Sequence, residues 1–271
     1  MPLELMYITN NPEIALIAEK AGVNRIWIDL ETLGKEERQK GMNTVKSLHS
    51  IHDIEVIKPL LTKAKMQVRI NPWNETSVDE IEKVITAGAE LIMLPLWKTP
   101  DEVENFIKTV NGRATTVLLL ETKEAEKCLD DVLKIDGVDE IHIGLNDLHL
   151  SYGLTFMFEL LANGTVDRIC EKVNKAGKKF GFGGISHLGD GMIPAEMIIT
   201  EHYRIGSTRA ILSRGFCNLD SPDVESAFIK NMNDFREHEK KVLMFSKEEI
   251  EMNRNELIKK VDFVVEAKKN G

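Results

Sequence analysis

The stretch TTVLLLETKEAEKCLDDVLKIDGVDEIHIGLND (residues 115–147) contains the repeating unit of the fold. Two short apolar runs, residues 116–121 and 140–145, flank an amphipathic segment with helical periodicity. This order is typical of a parallel β-α-β unit, whose strands are buried on both faces. Glu121 closes the first run and Asp147 follows the second. An unpaired charge is costly next to a buried strand, so these acids indicate function rather than packing.

The same unit recurs along the chain. Helical segments between the apolar runs begin with capping signals, such as Ser77 with Glu80 and Thr99 with Glu102. The alternation predicts an α/β fold, a (β/α)8 TIM barrel with additional C-terminal helices. A doubly wound sheet is the competitor, but the first run is followed by TNNPE and not by a glycine-rich phosphate loop. The predicted strands are residues 5–9, 25–30, 66–70, 91–96, 116–121, 140–145, 179–184 and 204–212.

The C-terminal tail is longer than a barrel needs. Residues 1–220 are predicted to form the catalytic barrel, and residues 221–271 a helical extension. The extension carries apolar residues at helical spacing, and such a stripe must be buried against something. A neighbouring subunit is one candidate, so we expect a homo-oligomer.

Composition excludes several classes of function. The chain has 35 basic and 44 acidic residues, a net charge of -9, which argues against nucleic-acid binding. Its three cysteines form no CxxC pair, which favours a reducing compartment. No signal peptide is visible, and no apolar run approaches the roughly 20 residues that span a bilayer. We expect a cytoplasmic enzyme with no membrane partner.

The ends of the predicted strands supply the candidate site, because barrel enzymes place their catalytic groups there. Glu121 and Asp147 suit a hard cation, Mg²⁺ or Mn²⁺, which prefers oxygen ligands. Arg69 could bind an anionic ligand through its planar guanidinium, or could form a structural ion pair with Asp29 or Glu31. The other candidates, in chain order, are Asn10, Asn71, Trp97, Ser186, His187, and Ser207 with Arg209, the last two as an anion site on the eighth strand.

Four motifs carry a resemblance to a known family. RIWIDLE, MQVRIN, LLLETKEA and DGVDEIHIGLNDL resemble, in order and spacing, signatures of the HpcH/HpaI aldolase and citrate lyase β-subunit superfamily. The similarity extends over about residues 5–215. It implies a metal-dependent barrel that makes or breaks a carbon–carbon bond of a pyruvate-type or acyl-CoA-type substrate through an enolate.

The resemblance also implies roles for individual residues. Glu121 and Asp147 would be the metal ligands, and Arg69 would hold the substrate carboxylate or keto oxygen. Asp29 and Glu31 would lie near metal-bound waters. Together with Arg69, they are the predicted catalytic residues. Gly144, with Gly183 and Gly184, would let ligand or backbone approach closely. Asn71, Trp97 and Ser207 complete the set of predicted substrate-binding residues.

One position departs from the family pattern. Thr32 stands where the aldolase branch has a proton-transferring histidine and the lyase branch an acid. A metal-bound water, Glu31, or a histidine from elsewhere could replace it, with His149 and His187 nearest in position. His142 is predicted to be a packed core or interface residue, and His49 a surface or helix residue.

Three functions remain open from the sequence. The first is a divalent-metal-dependent, aldolase-like carbon–carbon lyase acting on a 2-keto acid or related small carboxylate through a metal-stabilised enolate. The second is an acyl-CoA lyase or phosphoenolpyruvate-type enzyme on the same barrel. The third is a catalytically silent, ligand-binding barrel, which Thr32 and the helical tail would permit.

Overall fold

Eight parallel strands close into a barrel in chain order, with β1 paired to β8. The structure is a computed structural model that describes residues 1–34 and 48–270. The predicted (β/α)8 barrel is confirmed. The strands are β1 Glu4–Ile8, β2 Arg25–Asp29, β3 Lys65–Arg69, β4 Leu91–Leu94, β5 Thr115–Leu120, β6 Glu140–Ile143, β7 Lys179–Ile185 and β8 Arg209–Leu212.

Helices surround the barrel. Many begin where the sequence provides a side-chain cap: Thr99 accepts the backbone N–H of Glu102, which forms a capping box. In the described ranges the helices are α1 Pro12–Lys20, α2 Ile51–Ile57, α3 Ser77–Ala87, α4 Pro100–Val110, α5 Lys123–Val132, α6 Leu145–Ser151, α7 Glu159–Ala162, α8 Thr165–Lys175, α9 Ala195–Ile205, α10 Val224–Val242 and α11 Lys247–Asn270.

The predicted strands agree with the structure to within a few residues, except for the last one. The eighth strand was predicted at residues 204–212 but begins at Arg209. Arg204 and Ile205 instead form the end of α9, and Gly206 ends that helix with a φ of 81°. Glycine favours this left-handed backbone, which explains where the helix stops. The shorter strand changes where the residues before Arg209 lie.

Two hydrophobic clusters hold the barrel. The larger one lies between the strands and the surrounding helices. The smaller one fills the interior of the barrel with inward-facing side chains, as expected for a packed barrel rather than a pore. Its buried members are Met6, Trp27, Leu91, Met93, Val117 and Leu119.

A buried ion-pair network closes the N-terminal end of the barrel. Glu140 receives two N–H bonds from Arg25, at 2.8 and 3.0 Å, and two from Arg209, at 2.7 and 2.8 Å. Glu4 adds a second carboxylate, 2.6 Å from Arg25 Nε. The side chains of Arg25, Arg209 and Glu140 are at most 6% exposed. Each buried charge is therefore compensated by the others.

The C-terminal helices pack on the barrel of the same chain. Helix α10 lies against α1 and α9, and it buries Phe228 and Phe235 completely. Helix α11 packs against α9 and α7 and buries Leu257 and Val261. Phe263, 72% exposed, lies on the outer part of α11. The division at residue 220 and the packing of the extension on a neighbouring subunit stay predictions.

No helix in residues 1–34 and 48–270 has both the length and the apolar character needed to cross a membrane.

Candidate active site

A partly buried arginine and two buried carboxylates form a cluster at the C-terminal end of the barrel. Arg69 ends β3 and Asp29 ends β2, and the two residues are register partners. Arg69 donates from Nε and Nη2 to the two oxygens of Asp29, both at 2.8 Å. Its Nη1 lies 3.2 Å from Oε2 of Glu31. Asp29 is 2% and Glu31 3% exposed. The sequence predicted these residues at one end of the barrel, and the structure brings them into contact.

Neighbouring charges keep Arg69 protonated. Burial lowers the pKa of its guanidinium, but the charges of Asp29 and Glu31 outweigh burial and raise that pKa above its ordinary value. Glu121 contributes to the same rise, so its carboxylate charge also acts on Arg69. The cluster therefore extends from β2 and β3 towards β5.

Glu121 follows β5 and is 2% exposed. Its Oε1 accepts the backbone N–H of Leu96 at 3.1 Å. Leu96 has a φ of 51°, a left-handed backbone that is unusual for a residue with a side chain. Strained residues of this kind concentrate at functional sites. The turn after β4 thus positions Glu121, the predicted metal ligand. No sequence motif pointed to Leu96.

Gly144 leaves the space that the Glu121 side chain occupies. A Cβ at position 144 would lie 2.9 Å from both Cβ and Oε2 of Glu121, closer than real contacts allow. Its backbone φ of -82° would suit any residue, so the requirement for glycine is steric. The predicted close approach at Gly144 is present, and the group that approaches is Glu121.

We expect Gly144→Ala to weaken metal affinity by about 10- to 100-fold, the range seen when a neighbour of a metal ligand is altered. The added methyl group would displace the Glu121 carboxylate. Titration with Mn²⁺ followed by electron paramagnetic resonance measures this affinity. The control is Gly215→Ala, whose Cβ would lie 3.3 Å from Asp190 and should leave Mn²⁺ affinity unchanged. Equal affinities for Gly144→Ala and the wild type would contradict this account.

Asp147, the second predicted metal ligand, is the third residue of α6 and is half-buried. Gly144 immediately precedes this helix, so β6 delivers Asp147 to the end of the barrel where Glu121 lies. Two carboxylates are a donor set that fits Mg²⁺ or Mn²⁺. Within the described ranges no cluster of three or more His, Cys, Asp or Glu side chains could enclose a metal. A hard cation held by two carboxylates keeps other coordination positions for water or substrate.

Asn71 has a structural use for its side chain. Its Oδ1 accepts the backbone N–H groups of Thr32 and Leu33, at 2.9 and 3.0 Å, and its Nδ2 donates to Glu80. Asn71 thereby holds the turn after β2. Thr32 is exposed and also donates its hydroxyl to Asn71. Substrate binding by Asn71 stays a prediction.

Ser207 is not at the mouth of the barrel, and this corrects its predicted place. Because β8 begins at Arg209, Ser207 precedes the strand and lies at the N-terminal end. Its hydroxyl is buried against His202 Nδ1 and the backbone oxygen of Arg209, at 2.8 and 3.1 Å. Arg209 belongs to the Glu140 network at the same end. The proposed anion site of Ser207 and Arg209 is therefore wrong.

Trp97 lies within the hydrophobic core and is 1% exposed. This arrangement favours the alternative in which its indole covers the barrel. Its backbone carbonyl accepts the Thr122 hydroxyl at 3.3 Å, which ties the turn after β4 to the turn that follows Glu121. Direct contact of Trp97 with substrate stays a prediction.

The histidines fall into different environments. His142 is 4% exposed inside the barrel, and burial lowers its pKa to about 3. His149 is buried on α6, with Nδ1 3.2 Å from the Leu145 carbonyl. His187 is partly exposed after β7. His49 is half-buried just before α2, and its Nδ1 accepts the Asp29 backbone N–H at the end of β2, at 3.0 Å, a contact that the sequence did not predict. The contact joins residues 20 positions apart in the chain, and local sequence patterns do not reveal it.

The family profile of the HpcH/HpaI aldolase/citrate lyases matches residues 4–200. The chain belongs to this family. The match extends from β1 into α9 and includes every strand whose end contributes to the Arg69–Glu121 cluster. The resemblance predicted from the four motifs is thus confirmed.

Two curated relatives show the range of sequence similarity. A 2-keto-3-deoxy-L-rhamnonate aldolase of Escherichia coli is 25% identical over 62% of this chain and 69% of its own length. A hydroxypyruvate/pyruvate aldolase of Sagittula stellata is 26% identical over 30% of this chain and 43% of its own length. The chain thus spans less than half the length of the second relative. Both names support an aldolase-type lyase.

Solved structures of HpcH/HpaI proteins share the fold. An HpcH/HpaI aldolase/citrate lyase family protein of Burkholderia cenocepacia has a TM-score of 0.62 at 14% identity, covering 87% of this chain and 94% of its own. An HpcH/HpaI aldolase of Desulfitobacterium hafniense has a TM-score of 0.60 at 14% identity, covering 78% and 86%.

Proposed function

We propose that the protein is a divalent-metal-dependent carbon–carbon lyase that cleaves an aldol of a 2-keto acid or related small carboxylate through an enolate. The observation that carries the proposal is a partly buried guanidinium, 13% exposed, that contacts two buried carboxylates at one end of the barrel. Burial lowers the pKa of Arg69, but the charges of Asp29, then Glu31 and Glu121, raise it above its ordinary value. Perturbed charged groups that converge at a barrel mouth favour catalysis over packing.

Glu121 and Asp147 would hold the metal, which we propose to be Mg²⁺ or Mn²⁺. When bound, the cation supplies Lewis-acid stabilisation for the negative charge that develops on the substrate oxygen. Gly144 supports this role, because it lets the Glu121 carboxylate lie against the backbone without a competing side chain.

Arg69 would bind the substrate carboxylate or the developing enolate oxygen. A guanidinium has five N–H donors. Asp29 accepts one from Nε and one from Nη2, and Glu31 lies beside Nη1. Among the described residues, one N–H of Nη1 and one of Nη2 are then left for a ligand oxygen. The Asp29 clamp fixes the plane of the guanidinium, so that these donors are oriented before the substrate arrives.

Bond cleavage also needs a base. It removes the hydroxyl proton of the aldol, the carbon–carbon bond breaks, and the electron pair enters the enolate, which is protonated afterwards. We propose Glu31 as the proton acceptor, directly or through water, because it lies 3.2 Å from Arg69 Nη1 and next to Thr32 in the chain.

A catalytically silent binding barrel is the second candidate. Its supporting observation is Thr32, which is exposed and tied to Asn71 and carries no group that titrates near neutrality. Such a protein would keep the Arg69 cluster and bind a small carboxylate without turnover.

Proton exchange distinguishes the two candidates. The lyase is expected to exchange the methyl protons of pyruvate with deuterated water when Mg²⁺ or Mn²⁺ is added, and a chelator should stop the exchange. Proton nuclear magnetic resonance follows the loss of the methyl signal. Pyruvate or oxalate that binds with no metal-dependent exchange would overturn the proposal and favour the silent barrel. Retro-aldol assays beside acyl-CoA and phosphoenolpyruvate substrates then identify the reaction.

A further inference from the structure

His49 accepts a backbone N–H at the end of β2, beyond the last residue of β1. It lies just before α2 and is half-buried. Leu30 donates its N–H to Arg69 of β3, whereas Trp27 accepts an N–H from Thr9 on the other side. Backbone groups alternate in direction along a strand, so the Asp29 N–H points to the side of β1. Strand β1 ends at Ile8, and the Asp29 amide bonds to the His49 imidazole instead.

The hydrogen bond determines the protonation state of the imidazole. The Asp29 amide is a donor, so His49 Nδ1 must be the unprotonated nitrogen, and the ring proton is on Nε2. Protonation of Nδ1 would set two N–H groups against each other. His49 is therefore held as a neutral acceptor.

The residue that His49 contacts is central to the cluster. Asp29 binds Arg69 through both oxygens at 2.8 Å, and its Oδ1 also accepts the Glu31 N–H at 3.2 Å. Any shift of the Asp29 backbone would change both contacts. Small displacements of this kind reduce catalysis strongly, because orientation is a large part of the rate enhancement.

We propose that His49 is a positioning residue, whose Nδ1 holds the end of β2 so that Asp29 can clamp Arg69 in its ligand-binding orientation. This inference deepens the proposed function and rests on it. His49 acts through Asp29 and not by proton transfer from its own ring.

Three substitutions test the role of Nδ1. Asparagine places its side-chain oxygen near the position of Nδ1, glutamine places its amide near Nε2, and alanine removes both. We expect His49→Asn to keep kcat/KM within about threefold of the wild type, and His49→Ala and His49→Gln to lose about tenfold or more. The matched control is His52→Ala on α2, whose ring is 77% exposed and, among the described residues, pairs with Glu55 at 3.3 Å. It should leave kcat/KM unchanged.

The same variants can overturn the inference. If His49→Asn were as impaired as His49→Ala while both bound oxalate like the wild type, proton transfer through the ring would replace positioning. If His49→Ala matched the wild type, His49 would have no role in the site.

A second measurement does not depend on turnover. Nitrogen-15 resonances of His49 should report an unprotonated Nδ1 and a protonated Nε2 at neutral pH, and the opposite tautomer would overturn the inference. A wild type that shows this tautomer but no metal-dependent pyruvate exchange would refute the proposed function and leave the His49–Asp29 contact intact.

Discussion

Glu121→Gln is expected to lower metal-dependent turnover by at least about a thousandfold, because the amide cannot supply the negative charge that a hard cation prefers. Glutamine keeps the volume of the side chain and can still accept the Leu96 N–H, so the fold should persist. The loss should appear in kcat/KM measured with saturating Mg²⁺ or Mn²⁺, and in the Mn²⁺ affinity of the purified protein. Asp147→Asn should show the same loss through the other ligand.

The control for Glu121 is Glu104→Gln on α4. Glu104 is an exposed glutamate that pairs only with Lys108 one helical turn away, at 3.1 Å, among the described residues. Its substitution should change neither turnover nor metal affinity. Full activity of Glu121→Gln in the presence of a chelator would refute the assignment of the metal site.

Glu140→Gln should produce the largest loss of stability, about 3–5 kcal/mol of unfolding free energy. The substitution leaves Arg25 and Arg209 buried beside a neutral amide. Burial alone would raise the pKa of Glu140, but the hydrogen bonds and charge of Arg25, and then those of Arg209, outweigh it and lower that pKa. Denaturant unfolding at neutral pH measures the change.

The pH dependence gives Glu140 a second test. A carboxyl whose pKa is lower in the folded than in the unfolded state stabilises the fold at pH values above its unfolded-state pKa. This contribution is lost as the pH falls. The difference in unfolding free energy between wild type and Glu140→Gln should therefore be constant near neutrality. This difference should shrink as the pH falls through and below the ordinary glutamate pKa of 4.5.

An exposed pair of the same geometry provides the comparison. Glu82 also receives two N–H bonds from one arginine, Arg113, at 2.5 and 2.7 Å, but its side chain is 49% exposed. Glu82→Gln should lose far less unfolding free energy than Glu140→Gln, because water solvates the remaining guanidinium of Arg113. Equal losses of unfolding free energy for Glu140→Gln and Glu82→Gln would show that burial does not determine the size of the loss.

Much of the barrel was predictable because its signals are local. A strand buried on both faces needs a continuous apolar run, and a helix on the outside needs a 3.6-residue periodicity. The eighth strand was predicted too long because Arg204 and Ile205 can be accommodated in either a helix or a strand. The actual boundary depends on Gly206 and on the packing of α9.

The candidate site was predictable only where its residues follow strands directly. Glu121, Arg69 and Asp29 were found in this way. Ser207 was misplaced because an error of a few residues in a strand boundary moves a side chain from one end of the barrel to the other. His49 was missed because 20 residues separate it from Asp29, its hydrogen-bond partner.

The sequence by itself determined the barrel, the family and the carboxylates that follow the strands, since all of these depend on residue type and spacing along the chain. Tertiary structure alone decided which charges meet. Asp29 pairs with Arg69 because β2 and β3 are neighbours in register. Glu121 accepts the Leu96 amide because β4 and β5 are neighbours. Contacts between residues distant in the chain are set by how strands and helices pack, and no local pattern encodes them.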